Sequence, residues 1–176
     1  MKELLGRIWT PAYAQIDLKN VTFYIRDGST PQNEIEIKIG EGNFTYTENV
    51  EREYNLDRGL LDEVRNGDEQ PMDVVFDFVW DYIEGTTNTG CTPTVEDALK
   101  KRGCAADWMT VDDDPCAPYA VDIVLDNIPP CADVPFSQET LTFPDFRHDT
   151  LAHDASAGSV ACTGRCNATE PTSVRA

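Results

Sequence analysis

The sequence predicts a mainly β fold, a β-sandwich or barrel with one α-helix laid against it and a long inter-strand loop. Three observations predict it. Between Met72 and Tyr82, residues Met72, Val74, Phe76, Phe78, Trp80 and Tyr82 alternate with Asp73, Asp77 and Asp81. Strand side chains alternate with a period of two, so the apolar set enters a core while the carboxylates form a row about 14 Å apart on the far side. Several other runs rich in β-branched and aromatic residues end in turn signals. Only one stretch carries clear helix start and stop signals, and the order of strands, helix, strands fits a β domain with a single helix.

Taken in order, Gln15 to Arg26 carries Ile16, Val21, Phe23 and Ile25 and stops at Asp27-Gly28, the first expected strand. Ile35, Ile37 and Ile39 then alternate with Glu34, Glu36 and Lys38, and Gly40-Glu41-Gly42 is expected to turn the chain hairpin-fashion into Phe44 to Arg52. Glu53 to Pro71 breaks the pattern with charge, Gly59, Asn66-Gly67 and Pro71, and reads as a long functional loop. Its apolar residues Tyr54, Leu56, Leu60, Leu61 and Val64 are expected either to anchor it on another subunit or to form a short helix from Leu60 to Arg65 on its own domain. The strand from Met72 to Tyr82 is expected to run roughly 35–40 Å.

The helix is expected over 94–102. Thr92 or Thr94 caps it, Pro93 suits the first turn, and Glu96 and Asp97 complement the positive end of its dipole. Lys100, Lys101 and Arg102 suit its C-terminal end, and Gly103 is the expected left-handed stop. Tyr119 to Asp126, Glu139 to Phe143 and Val160 to Thr169 read as the remaining strands. With 176 residues, 40% of them apolar, the chain suits a single domain spanning 1–176. The segments 1–13 and 170–176 have little core of their own to make and are expected to order only against neighbours.

Charge narrows the function. Thirty-two acidic residues against 14 basic ones leave a net charge of −18, whereas a protein that grips nucleic acid needs clustered Lys and Arg. Such acidity keeps a protein soluble, suits a salty habitat, or makes a surface that must not hold a polyanion. Met1 to Ile8 is charged, and no stretch is long and apolar enough for a membrane span, so a soluble chain made in the cytoplasm is expected. Cys91, Cys104, Cys116, Cys131, Cys162 and Cys166 include no Cys-x-x-Cys pair, and the expectation is free thiols acting as small apolar residues. His148 and His153, beside Asp145, Asp149 and Asp154, fit no hydrolase signature and read as surface-loop histidines. Asp112-Asp113-Asp114 lacks the spacing of a calcium loop. Neither catalytic residue nor cofactor nor metal is expected.

Particular segments carry a resemblance. The alternating strand ending in Trp80-Asp81-Tyr82, the helix Val95-Glu96-Asp97-Ala98-Leu99-Lys100, Trp108 and the strand from Tyr119 to Asp126 resemble the major tail tube protein of long-tailed, siphovirus-like bacteriophages. So do Leu141-Thr142-Phe143-Pro144-Asp145-Phe146-Arg147 and the run from Gly158 to Asn167. The resemblance implies a virion protein, not an enzyme, that closes into six-fold rings stacked as a tube, its long strands joined around a lumen through which phage DNA passes without specific binding. It implies tape-measure, tail-terminator and tail-tip proteins as further partners, and no membrane. In that setting Asp73, Asp77, Asp81, Glu34 and Glu36 are expected on the lumen wall, where carboxylates repel phosphate, and 53–71 is expected to reach the next ring or subunit. The other classes to weigh are a tail terminator, an injection-system tube protein and a monomeric acidic β-sandwich binding module.

Overall fold

Ten strands and one α-helix make up the regular structure of the computed structural model, which describes residues 18–80, 92–127 and 138–175. The strands are β1 (Val21–Arg26), β2 (Glu34–Ile37), β3 (Phe44–Thr47), β4 (Val50–Asp57), β5 (Leu60–Glu69), β6 (Met72–Val79), β7 (Val121–Asn127), β8 (Glu139–Asp154), β9 (Ser159–Cys166) and β10 (Thr172–Arg175). The helix α1 is Val95–Lys100. The expected mainly β, sandwich-like class is what the chain adopts. Eight strands form one antiparallel sheet in the order β2-β1-β7-β8-β9-β6-β3, with β10 added against β8, and β4 and β5 form a separate pair.

Two bends fold the eight-stranded sheet into two layers. At the first, the chain from β2 to β3 changes partners: β2 pairs with β1, whereas β3 pairs with β6. The Gly40–Gly42 turn is therefore a corner and not the expected hairpin. The connecting stretch stays on the edge of β6, with Val79 N–H donating to the Lys38 carbonyl at 2.8 Å and Asp77 N–H to that of Asn43 at 3.0 Å. At the second bend, β8 pairs with β7 as far as Phe146, opposite Val121, across a register shift at Pro144-Asp145, where Asp145 takes φ 51°, and with β9 from Phe146 onward. Strands that switch layers at bends are how a sandwich makes its corners. Gly164 is required beside this bend, because a Cβ there would lie 2.2 Å from the Arg147 carbonyl oxygen and 2.6 Å from the Phe146 ring.

Between the layers lies an aromatic core. Phe23 of β1 touches Phe44 of β3 at 4.7 Å between centroids, Phe44 touches Phe143 at 5.2 Å, and Phe76 touches Phe146 at 5.9 Å. Alternation in β6 delivers its share as expected: Met72, Val74, Phe76 and Phe78 are buried. The strand is shorter than expected, however, ending at Val79, and Trp80 is largely exposed. Cys162 and Cys166 are buried free thiols on the core side of β9, as expected, and burial pushes each up to about 12. Cys116 is free and exposed. Cys104 departs from expectation: it is disulfide-bonded, and its partner lies outside the described residues.

The helix closes one opening of the sandwich. Thr94 is the cap, in a reciprocal box in which Asp97 N–H donates to Thr94 Oγ1 at 3.2 Å and the Asp97 carboxylate faces Thr94 N–H. Lys101 takes the left-handed position directly after the helix, with φ 50°, and Gly103, the expected left-handed residue, follows two positions later with φ 56°. Val95, Ala98 and Leu99 face the core, and Tyr119 Oη donates to the Ala98 carbonyl at 3.0 Å.

Beside the β1 end, Asp27 is fully buried and accepts five hydrogen bonds: from Ser29 N–H and Oγ, Asn33 N–H and Nδ2, and Met109 N–H at 3.1 Å. Burial alone would raise its carboxyl, but the donors from Ser29, Asn33 and Met109 outweigh it and hold the group below 3.8. A depressed carboxylate contributes stability that is complete above the unfolded value and lost as pH falls through the folded one. Asp27→Asn, which turns an NH2 toward these donors, is expected to cost about 1–3 kcal/mol at pH 7 and to flatten the loss of stability below about pH 4. Urea unfolding at pH 7 and pH 3 measures both.

Candidate functional site

The expected loop of 53–71 is a β-hairpin arm. β4 and β5 pair over their length and turn at Arg58-Gly59, with φ of 52° and 83°. Two central residues with positive φ make the two-residue turn whose twist suits a hairpin, and Gly59 adopts it without strain. The alternative of a helix from Leu60 to Arg65 is thereby excluded, because those residues lie in β5. Nor does the arm lie on its own domain. Tyr54, Leu56, Leu60, Leu61 and Val64 are 54–75% exposed, as is Val50, which the sequence reading missed.

A bulge sorts these side chains. Tyr54 stands opposite Val64 and Leu56 opposite Leu61, with a register shift of one residue between the two pairs. Leu61 and Val64, three apart, would point to opposite faces of a regular strand, and the extra residue brings them to the same one. Val50, Tyr54, Leu56, Leu61 and Val64 thus share one face, with the Arg52–Asn66 pair between Val50 and Tyr54, while Glu53, Asn55, Glu63 and Arg65 occupy the other and Leu60 sits at the tip on that polar side. A lone two-stranded hairpin is marginal in water. Its base is nevertheless pinned, since Asn49 Nδ2 donates to the Pro71 carbonyl at 3.2 Å and to Asp73 Oδ2 at 2.7 Å, and Gln70 Nε2 donates to Glu51 at 2.8 Å.

The predicted acidic wall is only partly assembled. Asp73 and Asp77 share the outer face of β6, half exposed, with Val75 at 41% exposure between them, so α1 does not cover this face. Asp73 stands opposite Arg165 of β9, which is paired with Asp149 at 2.9 Å, and Asp77 lies opposite Ala161. Around them the face is built from short side chains: Thr45, Thr163 and Thr150 beside Val75, and Ala161 and Ala152 beside Asp77. Glu34 and Glu36 are exposed on β2 in the other layer, and Glu34 is ion-paired with Arg26. The structure therefore does not gather these four into one row. Asp81 lies outside the described residues, as does the 1–13 segment. The C-terminal tail is a correction: its residues 172–175 form β10 on their own chain's β8.

Other polar groupings are structural. His148 and His153 are strand residues on β8 and not loop histidines. The Asp112 carboxyl is held low first by the Asp114 N–H that it accepts and then by its ion pair with Arg147. Burial pushes the carboxyls of Asp122 and Asp145 up at the β8 bend. Among the described residues no cluster of His, Cys, Asp and Glu has the arrangement of a metal site, and no helix is long and apolar enough to cross a membrane. The sequence matches no protein-family model, and comparison with curated proteins finds no match.

Proposed function

We propose that this chain is a structural subunit that polymerises, as the resemblance to major tail tube proteins implies: six-fold rings stacked into the tail tube of a long-tailed phage. One observation carries the reading. A domain that buries its core apolar residues well extends an arm on which Val50, Tyr54, Leu56, Leu61 and Val64 are left in water on one face, and such an exposed apolar group marks an interaction site. β2 and β3 are the edge strands of the large sheet among the described residues and support the same reading, since closing a ring satisfies edge strands between chains. A net charge of −18 suits a conduit for DNA, with Asp73 and Asp77 on the lumen wall. The subunit is made in the host cytoplasm and resides in the virion, with tape-measure, terminator and tail-tip proteins as neighbours. It has no catalytic role.

Electron microscopy of the purified protein tests this, with and without a tail-tip initiator. Tubes or stacked rings are expected. Closed single rings would instead mean a terminator, and monodisperse monomers under both conditions a binding module.

A further inference from the structure

Two arginines of the β4–β5 arm stand apart from the other cations of the chain. Residues 50–69 hold seven acidic residues and three basic ones, which leaves 25 of the chain's 32 acidic residues and 11 of its 14 basic ones to the remainder. Carboxylates are in wide excess, and cations of the body are drawn to them, Arg26 to Glu34, Arg147 to Asp112 and Arg165 to Asp149. On the arm Arg65 does the same, meeting Glu63 at 2.9 Å on the polar face. Arg52 and Arg58 do not. Both are exposed, and among the described residues neither has an ion pair.

Register puts Arg52 inside the apolar patch. It stands opposite the uncharged Asn66, between Val50 and Tyr54 on the face that Leu56, Leu61 and Val64 share. Arg58 sits at the tip, in the turn, with φ 52°. A monomer gains nothing from a guanidinium set among exposed apolar side chains, whereas an interface does: the stem covers apolar surface and the planar fork takes a carboxylate in bidentate fashion. Tyrosine and arginine are also the residue types on which binding energy concentrates.

We infer that the arm docks on the acidic body of a second copy of this chain, with Arg52 taking a carboxylate there inside the apolar contact and Arg58 engaging another at its rim. This recognition rests on the proposed self-assembly and adds what the arm selects. The charges are complementary, because the body carries exposed carboxylates without ion pairs, among them Glu48, Asp107 and Asp113. A patch of apolar residues alone would accept any apolar surface. Arg52 rejects a seat that lacks a carboxylate, since there it would be desolvated and unpaired. Nucleic acid is a poor occupant, because the arm's own acidic excess repels phosphate. Arm and seat are different surfaces of one chain, so the contact is head-to-tail and continues from copy to copy.

Sedimentation velocity of the full chain over a range of concentrations tests it. Arg52→Met keeps the length and apolar stem but removes the charge, and is expected to weaken self-association roughly tenfold or more. Arg65→Met, on the opposite face, should change it by less than about threefold. A purely apolar contact would instead be strengthened by Arg52→Met, so association equal to or tighter than wild type overturns the inference while leaving self-assembly in place. A wild type that stays monomeric throughout overturns both. Binding of the wild type to a short DNA duplex, abolished by Arg52→Met with self-association unchanged, would make nucleic acid the occupant and overturn it as well. Should Arg52→Met lose its native near-UV circular dichroism, Arg52→Lys decides: a point charge without the fork is expected to weaken association roughly threefold or more, and unchanged association overturns the inference.

Discussion

Replacing Tyr54, Leu56, Leu61 and Val64 together by threonine is expected to leave a folded monomer that no longer forms tubes. Threonine keeps the β preference of the arm. The four side chains are 54–69% exposed in the monomer, and solvent-facing substitutions typically change stability by no more than about 0.5 kcal/mol each. In an assembled interface the same side chains would be buried, at about 1.5–3 kcal/mol apiece for full burial. Removing even half of that weakens each contact by roughly 3–6 kcal/mol, or about two to four orders of magnitude in association. Sedimentation velocity and electron microscopy read the assembly, and near-UV circular dichroism and the melting temperature read the fold. Deletion of 55–67 should behave alike. Normal tubes from either variant would show that the arm is not the interface. A collapsed melting temperature in the threonine variant would mean that its apolar face serves the monomer.

The arm shows where sequence reading stops. β6 was legible because its four buried residues sit at strict period two, and the fold class followed from it together with the capped helix. In sequence the arm reads as a loop because the bulge puts Leu61 and Val64 three apart, which breaks the period, and because its charged residues at strand positions imitate a solvated loop. The local signal that remained was Arg58-Gly59 between two apolar pairs. The second half of β8 was missed for a related reason: Pro144-Asp145 reads as an end, whereas here it is a corner. Partner exchange between β2 and β3 is set by contacts remote in sequence, so Gly40–Gly42 looked like a hairpin. The bond at Cys104 left no sign in cysteine spacing. For the acidic residues, alternation fixed which face of β6 Asp73 and Asp77 occupy, but it did not indicate that Glu34 and Glu36 belong to the opposite layer.

Phe76→Ala is expected to have the largest effect on stability. The ring is 1% exposed, and its centroid lies about 6 Å from each of Phe44, Phe78 and Phe146. Because Phe44 and Phe146 come from different strands, truncation opens a void where the sheet layers meet, one that local repacking cannot fill. Phe→Ala changes in such sites cost about 3–5 kcal/mol, which in a domain of this size lowers the melting temperature by roughly 8–15 °C. Asp77→Ala, one residue away on the outer face, should move it by less than about 2 °C, because a strand side chain on that side leaves no void. This contrast tests the register of β6 directly, since a slip of one residue would exchange the two faces. Equal effects from the two variants, or a fall under about 3 °C for Phe76→Ala, would refute the assigned core. Below its own melting point Phe76→Ala should still assemble, the converse of the arm variant, which separates the residues that make the subunit from those that join subunits.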